Sequence, residues 1–579
     1  MADPLHLVAG VARQAFAAAS GLPPDEVDPV VRPSDRADAQ INGALALAKR
    51  VGTSPRELAQ AVASSGALDQ VCSAVAVAGP GFINVSFRPE ILAGLLREAA
   101  GDERLGVRPA AAPERVVVDY SAPNIAKEMH AGHLRSTVIG DSITRQLMFL
   151  GHEVLRENHV GDWGTPFGML IEHLVDVAGT AAAGDLEVSD LDGFYKAARA
   201  SFDSSDDFKD RARQRVVLLQ GRDDAETMRL WRALVGASLR HFNELYGKLG
   251  VLLTDADIAA ESQYQPLMPT VIARLAGAGL LEDSDGAKVV WVPGYTNREG
   301  EPLALIVQAS TGGFNYATSD LACVIDRTER LGATALVYVV GTPQSQHLAM
   351  VFKVAEMAGF LAPPARAVHV NFGSVLGDDR KMLRSRSGDP VRFVDLVNEA
   401  IERGRIAVAE RGADLDPDAA DELGHAIGIG ALKYAELSTD RIKDYVFDWD
   451  RMLSFEGNTG PYLQYAHARI CSIFRRGEVQ RHTVRAVTPT IAEPQEKVLA
   501  LRLLEFDTAV HATVASFSPH KLCAYLFDLA QAFTAFYDAC PVLKSADEVR
   551  DSRLALCDLT ARVLDTGLGL LGIGAPERM

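Results

Sequence analysis

The sequence of 579 residues lacks several features that mark specialised classes of protein. No run of 18 apolar residues occurs, so the pattern of a membrane-spanning helix is missing. The six cysteines are dispersed and form no C-x-x-C pair, which argues against a structural zinc site and against dithiol redox chemistry. The first residues contain no basic region followed by an unbroken apolar stretch, as a secretory signal would. We therefore expect a cytoplasmic protein whose cysteines are reduced and mostly buried.

Positive charge is also scarce, because 58 Lys and Arg residues face 76 Asp and Glu residues and leave a net charge of −18. This balance argues against a protein that holds nucleic acid through a general basic coat, although it does not exclude a local RNA-binding face. The acidic excess lies wholly before residue 461, since residues 461–579 contain 13 basic and 13 acidic residues. If RNA binds, the carboxyl-terminal segment repels it least.

The composition is that of a folded protein, with 48% hydrophobic and 23% charged residues. The chain is too long for one hydrophobic core, which rarely serves more than about 250–300 residues. No internal repeat is visible in the sequence. We therefore expect three or more domains.

Strands and helices alternate in the middle of the chain. The β-branched run at residues 115–120 fits a buried parallel strand, and apolar residues then recur at helical spacing from about 133 to 150. A second strand and helix are predicted at 335–340 and 346–359, and a third strand at 367–372. This alternation predicts a Rossmann-like, doubly wound α/β domain, which binds ligands beyond the carboxyl ends of its strands.

The flanking segments have other patterns. Apolar runs on both sides of Gly79-Pro80-Gly81 predict two strands in a small α+β domain. An acidic helical stretch and a two-stranded ribbon near 289–292 and 303–307 interrupt the Rossmann-like pattern, and the chain is overwhelmingly helical after residue 391. The predicted parts are an amino-terminal α+β domain at 1–105, the Rossmann-like domain at 112–390 with an insertion at about 170–310, a helical junction at 391–458 and an all-α domain at 459–579.

The segment His130-Ala131-Gly132-His133 lies where the loop after the first predicted strand enters its helix. A helix N-terminus offers free N–H groups and the positive end of the dipole, both suited to a phosphate, and glycine permits a nucleotide to approach closely. Two imidazoles three residues apart share one helical face and can donate hydrogen bonds to oxygens that gain charge during nucleotidyl transfer. The alternative is a chance match or a simple helix cap, since four residues make a short motif.

The longer run at residues 121–137, Ser-Ala-Pro-Asn-Ile-Ala-Lys-Glu-Met-His-Ala-Gly-His-Leu-Arg-Ser-Thr, resembles the HIGH signature of class I aminoacyl-tRNA synthetases in the form typical of the arginine enzyme. Further segments resemble the same family at residues 157–164, 316–322, 338–347, 455–466 and 518–579. The resemblance spans nearly the whole chain. It implies a catalytic Rossmann-like domain, a tRNA-contacting amino-terminal domain and a carboxyl-terminal anticodon-binding bundle.

The resemblance implies an arginine–tRNA ligase, which forms arginyl-adenylate from arginine and ATP, transfers the arginyl group to tRNA(Arg), and releases pyrophosphate and AMP. The guanidinium of arginine is permanently charged and carries five donors, so its pocket should offer carboxylates and a hydroxyl. A helix N-terminal acid is the alternative role for Asp320, and a packing aromatic is the alternative for Tyr316. The positions implied to bind arginine are Asp119, Asn124, Tyr316, Asp320 and Gln344.

The second nucleotide signature of class I enzymes, K-M-S-K-S, has only a degenerate match in Lys381-Met382-Leu383-Arg384-Ser385. Leucine replaces the first serine, and the second lysine is matched at best by Arg384 or Arg386. In this family a lysine before the histidine motif, here Lys127, is thought to compensate. An exposed basic loop is the alternative interpretation. The residues implied to bind ATP are Lys127, His130, Gly132, His133 and Lys381, and the catalytic set adds Arg384 and Ser385.

Two residues of the amino-terminal domain, Phe82 and Asn84, resemble positions that contact the tRNA elbow in the family. An aromatic ring can stack on an unstacked base and an amide can bond its edge, which is how single-stranded RNA is usually recognised. Phe82 is equally interpretable as a core residue of its strand. The implied partners are tRNA(Arg), L-arginine and ATP, with Mg²⁺ carried by ATP rather than by a dedicated protein site, no membrane, and a monomeric state.

Two other functions are compatible with the histidine motif. One is a class I relative that adenylates a different amino acid or couples it to a small molecule, but two RNA-facing end domains would then have no purpose. The other is a paralogue that binds tRNA without catalysis, but the intact His130, Gly132, His133, Lys127 and Asp320 argue against it.

Overall fold

The computed structural model describes residues 3–164, 166–182, 191–297, 299–384, 390–411 and 415–579. The strands are β1 (Val31–Ser34), β2 (Ala37–Ile41), β3 (Cys72–Ala78), β4 (Phe82–Phe87), β5 (Arg115–Asp119), β6 (Glu153–Glu157), β7 (Glu282–Ser284), β8 (Ala287–Thr296), β9 (Pro302–Gln308), β10 (Ala335–Tyr338), β11 (Arg366–His369), β12 (Val375–Leu376) and β13 (Tyr445–Val446). The helices are α1 (Pro4–Ser20), α2 (Ala44–Val51), α3 (Pro55–Ser64), α4 (Pro89–Gly101), α5 (Ala131–Phe149), α6 (Pro166–Ala182), α7 (Leu191–Ser204), α8 (Asp206–Gly221), α9 (Ala225–Leu249), α10 (Met268–Gly277), α11 (Tyr316–Ile325), α12 (Ser345–Met357), α13 (Phe393–Glu410), α14 (Pro417–Ser438), α15 (Trp449–Met452), α16 (Gly460–Gly477), α17 (Pro494–Leu504), α18 (Phe506–Ser516), α19 (His520–Ala539) and α20 (Asp547–Leu570).

The chain divides into two compact units. One unit, here called the terminal unit, contains residues 1–109, 455–569 and 574–579. The other, the central unit, contains residues 110–454 and 570–573. The two ends of the sequence therefore belong to one compact unit, although a long stretch of chain separates them.

The central unit is built on a parallel sheet with the order β11-β10-β5-β6. Val116, Val117 and Val118 are almost fully buried in β5, as expected for an inner strand covered on both faces. The chain runs from β5 to β6 on one side and later returns to β10 on the other, so the strand order reverses between β5 and β10. The predicted doubly wound fold is confirmed, and its ligand crevice is expected at this reversal.

Helix α5 follows β5 and begins at Ala131, close to its predicted start. Gly140 lets this helix approach the sheet, because an added Cβ would lie 2.3 Å from the Cβ of Tyr120. Polar residues of α5 such as Arg135, Thr137 and Asp141 are buried as fully as its apolar ones. The apolar periodicity therefore located the helix but did not reveal that nearly its whole circumference is enclosed.

The insertion contains α6 to α10 and a small antiparallel sheet of order β7-β8-β9. The predicted two-stranded ribbon corresponds to β8 and β9, and the structure adds β7 as a third strand. The prediction missed β7 because its three residues, Glu-Asp-Ser, show no alternation of apolar and polar side chains. No helix within the described ranges is long and apolar enough to cross a membrane.

The terminal unit combines an antiparallel sheet of order β1-β2-β4-β3 with the helices α16 to α19 and most of α20. The predicted β3–β4 turn at Gly79-Pro80-Gly81 is present, and Gly81 has φ +142°, which favours glycine. Ion pairs join its two sequence segments: Arg108 bonds Asp507 at 2.5 Å and Lys497 bonds Asp38 at 2.7 Å. All six cysteines of the chain are free and buried, as predicted.

Candidate active site

A pocket of about 430 Å³ is lined by the last residues of β5 and β10, where the strand order of the parallel sheet reverses. This is the position at which open α/β sheets bind their ligands. The structure brings all five residues predicted to bind arginine into the lining of this pocket: Asp119, Asn124, Tyr316, Asp320 and Gln344.

Helix α11 carries two of these side chains on neighbouring turns. Asn315 caps the helix, and its side chain accepts a hydrogen bond from the backbone N–H of Tyr316. Asp320 lies beyond the first turn, so the helix N-terminal role does not describe it. Tyr316 is 65% exposed and is therefore not a packing aromatic. His347 of α12 stands beside both, with Nε2 2.5 Å from Oδ2 of Asp320 and its ring centroid 4.7 Å from that of Tyr316.

Glu261, which the sequence did not predict, supplies a third carboxylate to the pocket, besides Asp119 and Asp320. The pKa of this carboxyl is raised to about 7, mainly by burial and also by Asp162 and Asp320, while His159 lowers it. The neighbouring Ser262 is fixed by Asp162, whose carboxylate accepts bonds of 2.8 Å from its N–H and 2.7 Å from its hydroxyl. Glu261 begins a short 3₁₀ helix in the insertion, Glu261–Leu267, and no local pattern in the sequence indicates its position in the pocket.

Asp119 occupies the floor of the pocket but is already paired. Arg327, which is almost completely buried, donates from Nη2 to Asp119 Oδ2 at 2.8 Å and from Nε to Glu157 Oε2 at 2.7 Å. Asp119 Oδ1 and Arg327 Nη1 are buried and have no hydrogen-bond partner among the described residues. The negative charge of Asp119 is thus largely met by an internal arginine that the sequence analysis missed, because Arg327 lies in a π-helical turn without a distinctive pattern.

The histidine motif forms a second cluster, at the N-terminus of α5. The N–H of Gly132 donates to Nδ1 of His130 at 3.1 Å, and the N–H of His130 donates to Nδ1 of His133 at 3.0 Å. Both Nδ1 atoms are therefore acceptors, so each neutral ring carries its proton on Nε2. A helix cap and a nucleotide-binding motif are therefore compatible interpretations, since the capping hydrogen bonds orient both imidazole rings and leave their Nε2–H groups as donors.

The electrostatic state of these two rings follows from their partial burial. Burial lowers the pKa of His133 to about 3, with a further contribution from His130, and burial also lowers the pKa of His130. The two ring centroids lie 4.0 Å apart. A Cβ on Gly132 would lie 2.9 Å from Cε1 of His130, so glycine is required for this arrangement. The motif is a pair of neutral donors at a positive helix end.

The predicted phosphate-binding cations lie on separate segments. Nζ of Lys127 stands 4.6 Å from the ring centroid of Tyr195 on α7. Lys381 is exposed in a hairpin that begins at Leu376, and its N–H donates to Oδ1 of Asp379 at 3.0 Å. Arg384 pairs with Pro390 in an isolated bridge, whereas Ser385 lies outside the described residues.

Three family models match the chain in sequence order. The arginyl tRNA synthetase N terminal domain matches residues 7–87, the class I (R) tRNA synthetase catalytic domain matches residues 99–449, and the DALR anticodon binding domain matches residues 463–579. This chain belongs to the arginyl-tRNA synthetase family. The family and the fold class predicted from the sequence are therefore confirmed.

Other members of the arginyl-tRNA synthetase family match over their full length. The arginine–tRNA ligase of Thermobifida fusca is 52% identical over 100% of both chains, and that of Edwardsiella ictaluri is 44% identical over 99% of both. The solved arginyl-tRNA synthetase of Plasmodium falciparum has a TM-score of 0.84 and 27% identity over 99% of both chains. That of Thermus thermophilus has a TM-score of 0.79 and 26% identity over 99% of this chain and 100% of its own.

The amino-terminal domain of this chain presents the two residues predicted to contact tRNA on one strand. In β4, Ile83, Val85 and Phe87 are buried, whereas Phe82 and Asn84 alternate with them on a half-exposed face. The amide oxygen of Asn84 accepts a 2.8 Å hydrogen bond from Nε2 of Gln40. Phe82 is therefore not part of the fully buried side of its strand.

Proposed function

We propose that this chain forms arginyl-adenylate from L-arginine and ATP and then transfers the arginyl group to tRNA(Arg). The carboxylate of arginine attacks the α-phosphorus, the bond to the β-phosphate breaks, and pyrophosphate leaves. A ribose hydroxyl of the terminal adenosine then attacks the adenylate and AMP leaves. The observation that carries this proposal is the pocket at the sheet reversal, which gathers Asp320 and Tyr316 from α11 and Glu261 from the insertion.

The distribution of charge in the pocket indicates where the guanidinium binds. Arg327 already neutralises Asp119 and Glu157 at the floor. In the described part of the chain neither Asp320 nor Glu261 has a lysine or arginine partner, so both can receive a cationic ligand. A planar guanidinium can donate to two carboxylates and a hydroxyl at once, whereas lysine would leave buried acceptors unpaired. Such a loss can reach about 10⁴-fold in specificity.

The backbone of the amino acid is assigned to Asn124 and Gln344, which line the same pocket. Asn124 pairs with Gly161 in an isolated bridge, and a Cβ at residue 161 would lie 2.3 Å from Oδ1 of the asparagine. Gly161 therefore leaves the space that the asparagine amide occupies.

Asp119 is assigned a supporting role, since it acts on the ligand through Arg327 as well as by lining the pocket.

The nucleotide is assigned to the N-terminus of α5. Neutral Nε2–H groups of His130 and His133 would donate to the oxygens of the α-phosphate, which gain charge as the nucleophile attacks. Lys127, Lys381, Arg384 and Ser385 are assigned to the β- and γ-phosphates. Because no group of three or more His, Cys, Asp or Glu side chains suited to a metal occurs within the described ranges, we expect Mg²⁺ to arrive on the ATP phosphates. Catalysis then rests on positioning and charge stabilisation, without a side-chain nucleophile.

The tRNA is assigned to both ends of the chain. The carboxyl-terminal helices would receive the anticodon, and Phe82 and Asn84 would contact the tRNA body through stacking and amide bonding. We expect the protein to act as a monomer in the cytoplasm.

Charging assays test this assignment directly. Purified chain is incubated with ATP, total tRNA and each proteinogenic amino acid in turn, and aminoacyl-tRNA is counted. We expect charging with arginine alone, and little arginine-dependent pyrophosphate exchange when tRNA is omitted. Binding of tRNA without any charging would overturn the proposal, and charging with another amino acid would overturn the pocket assignment.

A further inference from the structure

Arg135 lies two residues after the histidine motif on α5, and its side chain is fully buried. Its Nη1 donates to the carbonyl of Gly373 at 2.6 Å and lies 3.4 Å from the carbonyl of Lys443. Its Nε stands 3.0 Å from Oε2 of Glu436 on α14, whose side chain is also fully buried. One guanidinium thus joins the histidine helix to three other segments of the central unit.

Aromatic rings complete the surroundings of this guanidinium. Its carbon lies 5.7 Å from the ring centroid of Phe372 and 5.3 Å from that of Tyr445. The hydroxyl of Tyr445 donates to Oε1 of Glu436 at 2.5 Å, so both carboxylate oxygens face a fixed group. A Cβ at Gly373 would lie 2.7 Å from the backbone of Lys443, so these two segments are in close contact.

The segment that Arg135 holds is the base of the hairpin that carries Lys381. Residues 371–376 pair with residues 441–447: the N–H of Gly373 bonds the carbonyl of Arg441 at 2.9 Å, and β12 pairs with β13. From β12 the chain turns back on itself, since the N–H of Leu383 bonds the carbonyl of Val375 at 3.0 Å. The degenerate signature loop therefore extends directly from a base that Arg135 contacts.

A contribution to stability alone does not explain the buried pair of Arg135 and Glu436. Replacing a buried ion pair with apolar residues of similar volume is often neutral or stabilising, because the desolvation of two charges offsets much of their attraction. Burial does raise the pKa of Glu436, against the influence of Arg135. What a planar guanidinium provides here is a fixed geometry, since its fork contacts a carboxylate and backbone carbonyls at the same time.

We propose that Arg135 is a positioning residue for adenylate formation: it fixes the base of the Lys381 hairpin against the helix that presents His130 and His133. Lys381 and the imidazole donors of His130 and His133 are then held at fixed positions relative to the triphosphate of one ATP molecule. Small displacements of such groups are costly, because positioning supplies much of the rate. This inference rests on the proposed ATP site, and it assigns a role to a motif residue that does not itself touch substrate.

The test compares Arg135→Lys and Arg135→Met with a matched control, Arg215→Lys. Arg215 also forms a largely buried pair, with Glu172 at 2.6 Å, but it lies on α8 in the insertion. In the presence of tRNA we expect both Arg135 variants to raise the KM for ATP or lower the activation rate by about tenfold or more, with the KM for arginine changed less than about twofold. Arg135→Lys should not retain wild-type kinetics, because a lysine side chain keeps the positive charge but lacks the planar guanidinium. Thermal unfolding of all three variants records the loss of stability.

A double variant makes the test specific to the hairpin. If Arg135 acts through Lys381, then adding Arg135→Met to Lys381→Ala should cost no more than the larger single effect. Equal changes in the KM for ATP and for arginine, or changes matched by Arg215→Lys at equal stability, would overturn the inference and leave Arg135 a packing residue.

Should Arg135→Met fail to fold, the same kinetic measurements are made on Tyr445→Phe, which removes only the hydroxyl bond to Glu436. A wild-type chain that does not charge tRNA, or a Lys381→Ala variant with unchanged ATP kinetics, would instead contradict the proposed ATP site.

Discussion

The pocket that we assign to arginine and the histidine motif have opposite electrostatic character. The pocket presents ionisable carboxylates, Asp320 and Glu261, that are gathered from distant segments. The motif presents imidazoles that burial keeps neutral and whose tautomer is set by backbone N–H groups within four residues. A permanent cation can be selected by standing charge, whereas charge that exists only in a transition state is better met by oriented neutral donors. We therefore expect changes in the pocket to alter arginine binding and changes in the motif to alter the rate of adenylate formation.

The largest effect is expected for His133→Ala. It removes one Nε2–H donor from the motif and should lower the rate of adenylate formation by roughly 10²-fold or more. The KM for arginine and the affinity for tRNA should stay nearly unchanged. Single-turnover kinetics with tRNA present give the rate. His152→Ala, which removes an imidazole that bonds the N–H of Glu114, serves as control. A comparable rise in the arginine KM would break the separation between the two clusters.

Asp320→Asn should act in the opposite manner. Loss of a charged hydrogen-bond acceptor costs about 1.5–3 kcal/mol, which predicts a rise in the arginine KM of about 10- to 100-fold. The KM for ATP should change little. Asp326→Asn is a suitable control, because Asp326 lies at the end of the same helix and bonds Arg330 instead. Unchanged arginine kinetics in Asp320→Asn would show that the pocket assignment is wrong.

Glu261 should make arginine binding depend on pH. Its pKa is raised from 4.5 to about 7 in the free protein, so the carboxylate that a guanidinium needs is mostly protonated at pH 6. We expect the arginine KM to be about tenfold higher at pH 6 than at pH 8. Glu261→Gln should abolish this slope and keep a high KM throughout. A slope that persists in the glutamine variant would assign the titration to another group.

The same raised pKa has a consequence for folding. Because the folded chain binds this proton more tightly than the unfolded one, Glu261 contributes stability at pH values below about 4.5 and loses that contribution as the pH rises through about 7. Thermal unfolding of the free chain, compared with Glu261→Gln between pH 5 and pH 8, measures this contribution.

The smallest effect on arginine is expected for Asp119→Asn, because Arg327 shields this carboxylate from the ligand. Its main cost should be stability, about 2 kcal/mol for a buried bond to a charged group. The arginine KM should change less than about threefold. As a control, Glu153→Gln breaks an exposed ion pair between Glu153 of β6 and Arg115 of β5. It should lower the free energy of unfolding by less than about 1 kcal/mol. A larger rise in KM than that of Asp320→Asn would reverse the roles of the two aspartates.

Local pattern was enough to predict three of the four strands of the parallel sheet, β5, β10 and β11, but β6 was not predicted. The β-branched run of β5 and the apolar repeat of α5 are set by residues close in sequence, and both elements were placed within a few positions. Family resemblance added Tyr316, Asp320, Asn124 and Gln344, which the fold does bring into one pocket. No short-range signal could reveal that Asp119 faces Arg327, because that contact joins residues more than 200 positions apart.

Glu261, His347 and Arg135 escaped prediction for the same reason. Each depends on a partner from another segment: Asp320 stands beside the first two, and Glu436 beside the third. Sequence patterns show which face of an element is apolar, but they do not show which polar group meets which across the fold. The roles of the predicted ATP-binding residues and of Phe82 and Asn84 stay predictions, and Ser385 lies outside the described ranges.

The terminal unit joins two sequence segments that lie on either side of the central unit. Arg108 must find Asp507, and Asp38 must find Lys497, only after the whole central unit has been synthesised between them. At about 5–20 residues per second, the amino-terminal segment waits for roughly 20 to 90 seconds before its partners are synthesised. During translation the amino-terminal part of this unit therefore exposes the surface that later packs against residues 455–569.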